Sequence, residues 1–143
     1  MGSAFSLAVP EEEQTLDTGE QFYKYYVENS AYADSVEELF EYKQFKERLE
    51  SEDLFMVYKK PTTTVVDAGD PSMAEILFEY EDKDQGWVVQ DQVGLNKFIE
   101  SLETARENLK RDGELSEGDD RTIEMCISII QFAKENGYGV KFS

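Results

Sequence analysis

The 143-residue sequence has no histidine, one cysteine, three prolines and one tryptophan. Each shortage removes a kind of chemistry. Without histidine there is no Ser-His-Asp or Cys-His nucleophile system, no histidine zinc ligand and no imidazole base. The lone Cys126 excludes an intramolecular disulfide and a cysteine zinc site. It stands among isoleucines with no basic neighbour to lower its pKa, the setting of an inert core thiol. Glycine-rich phosphate loops are missing, since Gly137-Tyr138-Gly139 lacks both the spacing and the following helix. No apolar stretch approaches the roughly 20 residues of a membrane span. Met1–Pro10 lacks the basic residues and apolar run of a signal peptide, so the expected location is cytoplasmic.

Positive charge is also scarce. There are 14 Lys and Arg against 32 Asp and Glu, a net charge of −18. Such a field repels phosphate backbones and anionic membranes, so neither direct nucleic-acid binding nor membrane contact is expected, and a basic partner protein is favoured. The acidity is uneven: residues 11–53 hold 14 acids and four bases, whereas residues 93–143 hold ten and seven. The field is therefore expected to be strongest around the first two helices.

What is present suffices for a packed core. Hydrophobic residues make up 40% and aromatics 13%, in a chain of single-domain length, read as one globular domain over residues 1–143. Phe5, Leu7 and Val9 alternate with small residues and predict a strand stopped by Pro10. Thr18-Gly19-Glu20-Gln21 and Ser35-Val36-Glu37-Glu38 fit capping boxes opening helices to about Ser30 and Glu50, the second with an apolar set of Val36, Leu39, Phe40, Tyr42, Phe45 and Leu49. Strands are expected at Leu54–Tyr58, in the β-branched run Thr62–Val66, and at Ala74–Tyr80, where Ala74, Ile76, Phe78 and Tyr80 alternate with acids. Trp87–Gln90 would pair with the last of these across an acidic hairpin loop, Asp82–Gly86. Leu95–Leu109 has helical spacing, and a largely apolar helix runs from about Asp120 to Asn136, ending at Gly137 before a closing strand at Val140 and Phe142. The expected fold is α+β: about four helices packed on a largely antiparallel sheet of roughly five to six strands.

Candidate chemistry is thin. Carboxylate pairs abound among 32 acids, so no single pair stands out as a general acid and base. Asp82 and Asp84 near Gly86 suggest a calcium loop, but one register puts Lys83 at a ligand position and the other misplaces Gly86. No catalytic residue, metal ligand or cofactor is therefore expected. The aromatic cluster is more informative. Phe22, Tyr23, Tyr25, Tyr26, Tyr32, Phe40, Tyr42 and Phe45 fall close together, and one helix face cannot bury all four of the first group. Tyrosines beside acids make a protein-binding surface, in which rings supply contact area and acids steer a basic partner. The expected contact residues are Tyr23, Tyr25, Tyr26, Glu37, Glu38, Glu41, Asp82 and Asp84.

The opening Met1-Gly2-Ser3-Ala4-Phe5-Ser6-Leu7-Ala8-Val9-Pro10 resembles the first strand of small bacterial proteins of the YfbM-like, DUF1877-type group. The closing Ile130-Gln131-Phe132-Ala133-Lys134-Glu135-Asn136-Gly137-Tyr138-Gly139-Val140 resembles their final helix and strand. Some members look like toxin-immunity proteins, so the resemblance implies such a role and carries no functional residue with it. The expected function is an acidic binding or inhibitory protein, in concrete form an immunity protein neutralising a toxin such as a nuclease. The alternatives are a phage-type DNA mimic occupying a DNA-binding protein, an accessory domain with an acidic solvated face, and a carboxylate- or metal-dependent enzyme.

Overall fold

The computed structural model describes residues 4–80 and 88–142. In chain order its elements are β1 (Phe5–Ala8), a single 3-10 turn (Glu11–Glu13), α1 (Leu16–Glu28), a second 3-10 turn (Val36–Glu38) and α2 (Phe40–Ser51). Then come β2 (Tyr58–Lys59), α3 (Thr63–Ala68), α4 (Met73–Tyr80), β3 (Val88–Val89), α5 (Gln92–Arg111), α6 (Glu117–Asn136) and β4 (Gly139–Phe142). The chain forms two compact units, one from residues 1–8 with 58–143 and the other from residues 9–57.

The first unit is built on an antiparallel sheet in the order β2-β1-β4-β3. Strand alternation puts Phe5 and Leu7 of β1 in the core, and β4 pairs with β1 from Phe5↔Phe142 to Ala8↔Gly139. Phe5 stacks on Phe142 at 4.6 Å between ring centroids, and Phe98 from α5 meets both rings edge-on at 5.2 and 5.5 Å. α5 starts where the Asp91 side chain accepts the Gly94 N–H, and it buries Leu95, Phe98, Ile99, Leu102, Ala105 and Leu109. α6 starts at Ser116, which accepts the Asp119 N–H, and ends at Gly137, whose φ of 72° lies in the left-handed region that glycine adopts at no cost. Between the two helices, Arg106 Nε lies 2.7 Å from Asp120 and Nη2 3.5 Å from Glu124, close enough for ion pairing but off hydrogen-bond geometry.

The expected four helices on five to six strands are replaced by six α-helices and four short strands among the described residues. The sheet is antiparallel as expected, but three predicted strands are lost or cut short. Thr62–Val66 is not a strand: the Thr62 hydroxyl accepts the Val65 N–H and opens α3. Ala74–Tyr80 belongs to α4, which Ser72 and Glu75 cap reciprocally: Ser72 N–H donates to Glu75 Oε2 at 2.8 Å and Glu75 N–H to Ser72 Oγ at 3.3 Å. The helical set Met73, Ile76 and Leu77 wins over the alternation of Ile76 with Phe78: Met73 and Ile76 are buried, and Phe78 is 74% exposed. Of Leu54–Tyr58 only Tyr58 is in a strand. The predicted loop Asp82–Gly86 and Trp87 lie outside the described residues, and its expected first arm is helix α4. Helix starts also shift. α1 is capped by Thr15, not Thr18, and Ser35 opens a 3-10 turn without a side-chain cap.

In the second unit, α1 contributes Phe22, Tyr23 and Tyr26 to the core, and α2 contributes Tyr42 and Phe45. A Cβ on Gly19 would overlap the Phe45 ring, so glycine permits the close approach of α1 and α2. This unit lies in the chain between β1 and β2, which are themselves hydrogen-bonded neighbours (Phe5 opposite Lys59, Ser6 opposite Tyr58). Residues 9–57 thus occupy the place of a hairpin connection.

Candidate protein-binding surface

The aromatic cluster of residues 9–57 is sorted by helix geometry. Tyr23 is 5.6 Å from Tyr42 and 5.9 Å from Phe45 between ring centroids, and Phe45 meets Phe55 at 5.4 Å. Tyr23, Tyr42 and Phe45 lie in the unit's interior, and Phe55 is half-buried. Tyr23 and Tyr26, expected to contact a partner, are core residues with only 1% and 2% of their surface exposed. Tyr25 is half-buried. The sequence could not separate them because Phe22, Tyr23, Tyr25 and Tyr26 cover most of a helical turn, and only the position of α2 decides which of them face it.

The carboxylates take the outside. Of the 14 acids in residues 11–53, twelve are exposed, and Glu13 and Glu41 are half-buried. Glu37 and Glu38 are exposed on the 3-10 turn that leads into α2. Asp82 and Asp84 lie outside the described residues. One phenol links interior to surface: Tyr42 Oη donates to Glu20 Oε1 at 2.9 Å. Burial, the bond and charge of Glu20, and the charge of Glu37 together push the Tyr42 pKa up to about 12.

Phe40 belongs to the apolar set expected for the second helix, yet its ring is 70% exposed while the adjacent Leu39 is 4% exposed. Helical angles give the reason. Tyr42 and Phe45 define the buried side of α2, and position 40 projects roughly opposite to them at 100° per residue. The 3-10 turn ends at Leu39, so that residue can turn inward independently of the α2 period. Beside Phe40 lies an open hollow lined by Lys43, Gln44, Lys46, Glu47 and Glu50, all from α2.

Nothing in the first unit forms a competing reactive constellation among the described residues. Cys126 is fully buried with Sγ 3.7 Å from the Lys59 carbonyl, and burial holds its thiol far above the ordinary range despite the opposing charge of Lys59. No group of three or more His, Cys, Asp or Glu side chains is placed to hold a metal ion among the described residues. No helix among them is long and apolar enough to cross a membrane. No family model, curated protein or solved structure matches the chain.

Proposed function

We propose that this chain is a small acidic binding protein that engages a basic partner and blocks it, most concretely as an immunity protein neutralising a toxin such as a nuclease. The observation that carries the reading is the exposure of twelve carboxylates on the unit of residues 9–57, whose interior is formed by Phe22, Tyr23, Tyr26, Tyr42 and Phe45. A nuclease needs a cationic cleft to hold phosphates, and a dense carboxylate surface satisfies the same cations. Encounter is then electrostatically steered, fast and sensitive to salt. The resemblance of the chain ends to YfbM-like proteins supplies the immunity form of the reading.

The test is direct. The purified chain should retain a basic protein at about 50 mM salt and release it at about 500 mM, where charges more than a few ångströms apart are screened. The captured protein should be a nuclease that loses activity on addition of the chain. A DNA-binding protein in its place would turn the reading to DNA mimicry. Failure to capture any basic protein, or capture indifferent to salt, would overturn it.

A further inference from the structure

We propose that Asn136-Gly137 is a spontaneous deamidation site that the fold holds shut at the end of α6. The site needs no partner and does not depend on the function proposed above. The chain has four asparagines, Asn29, Asn96, Asn108 and Asn136, and only Asn136 precedes a glycine. Deamidation begins when the main-chain nitrogen of the following residue attacks the asparagine side-chain carbonyl carbon. That nitrogen loses its proton, a C–N bond forms to Cγ, the Cγ–Nδ2 bond breaks and ammonia leaves. Water then opens the resulting succinimide at either carbonyl, giving aspartate or isoaspartate. A Cβ on the following residue shields its nitrogen, and glycine has none.

Two hydrogen bonds and one backbone conformation restrain this step in the fold. Asn136 Nδ2 donates to the Phe132 carbonyl at 2.8 Å, and the Gly137 N–H donates to the Ala133 carbonyl. The attacking nitrogen therefore keeps its proton, and the side-chain amide is bound back along the helix, away from Gly137. Gly137 is fixed at a φ of 72°, and the Tyr138 N–H closes the turn on the Ala133 carbonyl at 2.8 Å. Crowding gives no protection: Asn136 and Gly137 are exposed, and a Cβ on Gly137 would meet nothing within 4 Å. Protection lasts only while the end of α6 is formed, and helix ends open more readily than helix interiors.

The product falls where it matters to the sheet. Only Gly137 and Tyr138 separate α6 from β4, the strand paired with β1 on one side and β3 on the other. Isoaspartate routes the main chain through the side-chain carbon and adds a backbone atom to that connection. Either the end of α6 or the register of β4, with Val140 opposite Leu7 and Val89, must then give way. Aspartate keeps the chain length but sets a negative charge at the negative end of the helix dipole, beside the Phe132 carbonyl. A chain that stays open too long is thereby altered so that it closes less well.

The full chain is incubated at mildly alkaline pH in native buffer and in guanidinium chloride, and its peptides are read by electron-transfer mass spectrometry, which separates aspartate from isoaspartate. A synthetic peptide of residues 132–139 in both solvents corrects for the solvent's own effect. In denaturant, conversion should concentrate at Asn136, with Asn29, which precedes Ser30, slower by about tenfold or more. In native buffer Asn136 should convert about tenfold or more slowly than in denaturant. Gly137→Ala should slow the reaction in denaturant, where its effect on folding is immaterial. The isoaspartyl chain, isolated and returned to native buffer, should have a lower urea midpoint than the unmodified chain, with Asn136→Asp between them. Conversion in denaturant no faster at Asn136 than at Asn29, or indifferent to Gly137→Ala, overturns the site. Equal corrected rates in native buffer and denaturant overturn the restraint by the fold. An isoaspartyl chain with the unmodified midpoint overturns the consequence for β4.

Discussion

At the scale of single residues, the Tyr42 phenol joins the interior of the unit of residues 9–57 to its acidic exterior. Its ring packs on Tyr23, and its hydroxyl ends at the Glu20 carboxylate. Neutral phenol is the form this setting favours, so its pKa rises from 10.0 to about 12 in the fold. The sign follows. The stabilising contribution is whole below pH 10, where both folded and unfolded chains hold the proton. It shrinks as the unfolded chain ionises above pH 10, and it is gone once the folded phenol ionises beyond about pH 12. Solvent screening near the surface limits it to about 1–2 kcal/mol. Tyr42→Phe should cost about 1 kcal/mol near pH 8 through the lost hydrogen bond. It should also lose less stability than wild type between pH 10 and 12, read from urea midpoints at stepped pH. Parallel profiles for the two proteins would show that the phenol is not held neutral. The aromatic positions also mark a limit of legibility. Composition shows that tyrosines and phenylalanines are too many for one face, but the choice of Tyr23 and Tyr26 for the interior and Phe40 for the exterior depends on where α2 lies against α1.

At the scale of elements, the outcome divided between segments long enough to express a period and segments too short to do so. α5 and α6 follow from the sequence, because helical spacing over twenty residues leaves one consistent reading, and the short strands β1 and β4 follow because Pro10 and the Gly137 cap mark their bounds as well as their alternation. α3 and α4 have six and eight residues. Over such lengths Ile76 satisfies both a period of two with Phe78 and a helical set with Met73 and Leu77. The deciding signal was capping, present at Ser72 with Glu75 and at Thr62 but hidden beneath β-branched and alternating residues. Ser72→Ala therefore removes the feature that sets α4. It should destabilise the chain by about 1 kcal/mol, as loss of an N-cap does, and Glu75→Ala added to it should cost less than the two separate changes combined, because each partner serves the other. Urea denaturation of the two single variants and the double variant measures this. Independent, additive effects would mean that the capping box contributes nothing as a unit. The neighbouring turn is fixed from α5, where Ser101 Oγ donates to the Pro71 carbonyl and Asn108 Nδ2 to the Ala68 carbonyl, both at 2.8 Å. These long-range contacts are a further part of the fold that local pattern cannot express.

At the scale of the whole chain, charge and chain order coincide. The most acidic segment, residues 11–53, falls within the unit that fills the connection between neighbouring strands β1 and β2. The first unit carries the sheet and the long α5 and α6 helices, and its charges include interhelical pairing of Arg106 with Asp120 and Glu124. The second unit has four bases for 14 acids in residues 11–53 and must therefore fold against its own repulsion. A basic partner of the kind proposed would relieve that repulsion, which is how the proposed function would draw on this composition. It also makes stability depend on salt in a specific pattern. Raising NaCl from about 20 mM to about 500 mM shortens the screening length from about 20 Å to below about 5 Å. If that recovers about 1 kcal/mol of repulsion, the thermal midpoint should rise by roughly 3 °C. The gain should not be uniform. Amide hydrogen exchange should slow more in α1 and α2 than in α5 and α6, because the carboxylates whose repulsion is screened lie mainly in residues 11–53. Equal slowing in all four helices would show that the acidity acts on the chain as a whole. No slowing in any of them would show that the folded surface already spaces its carboxylates widely enough to tolerate them, leaving no stored repulsion for a basic partner to relieve.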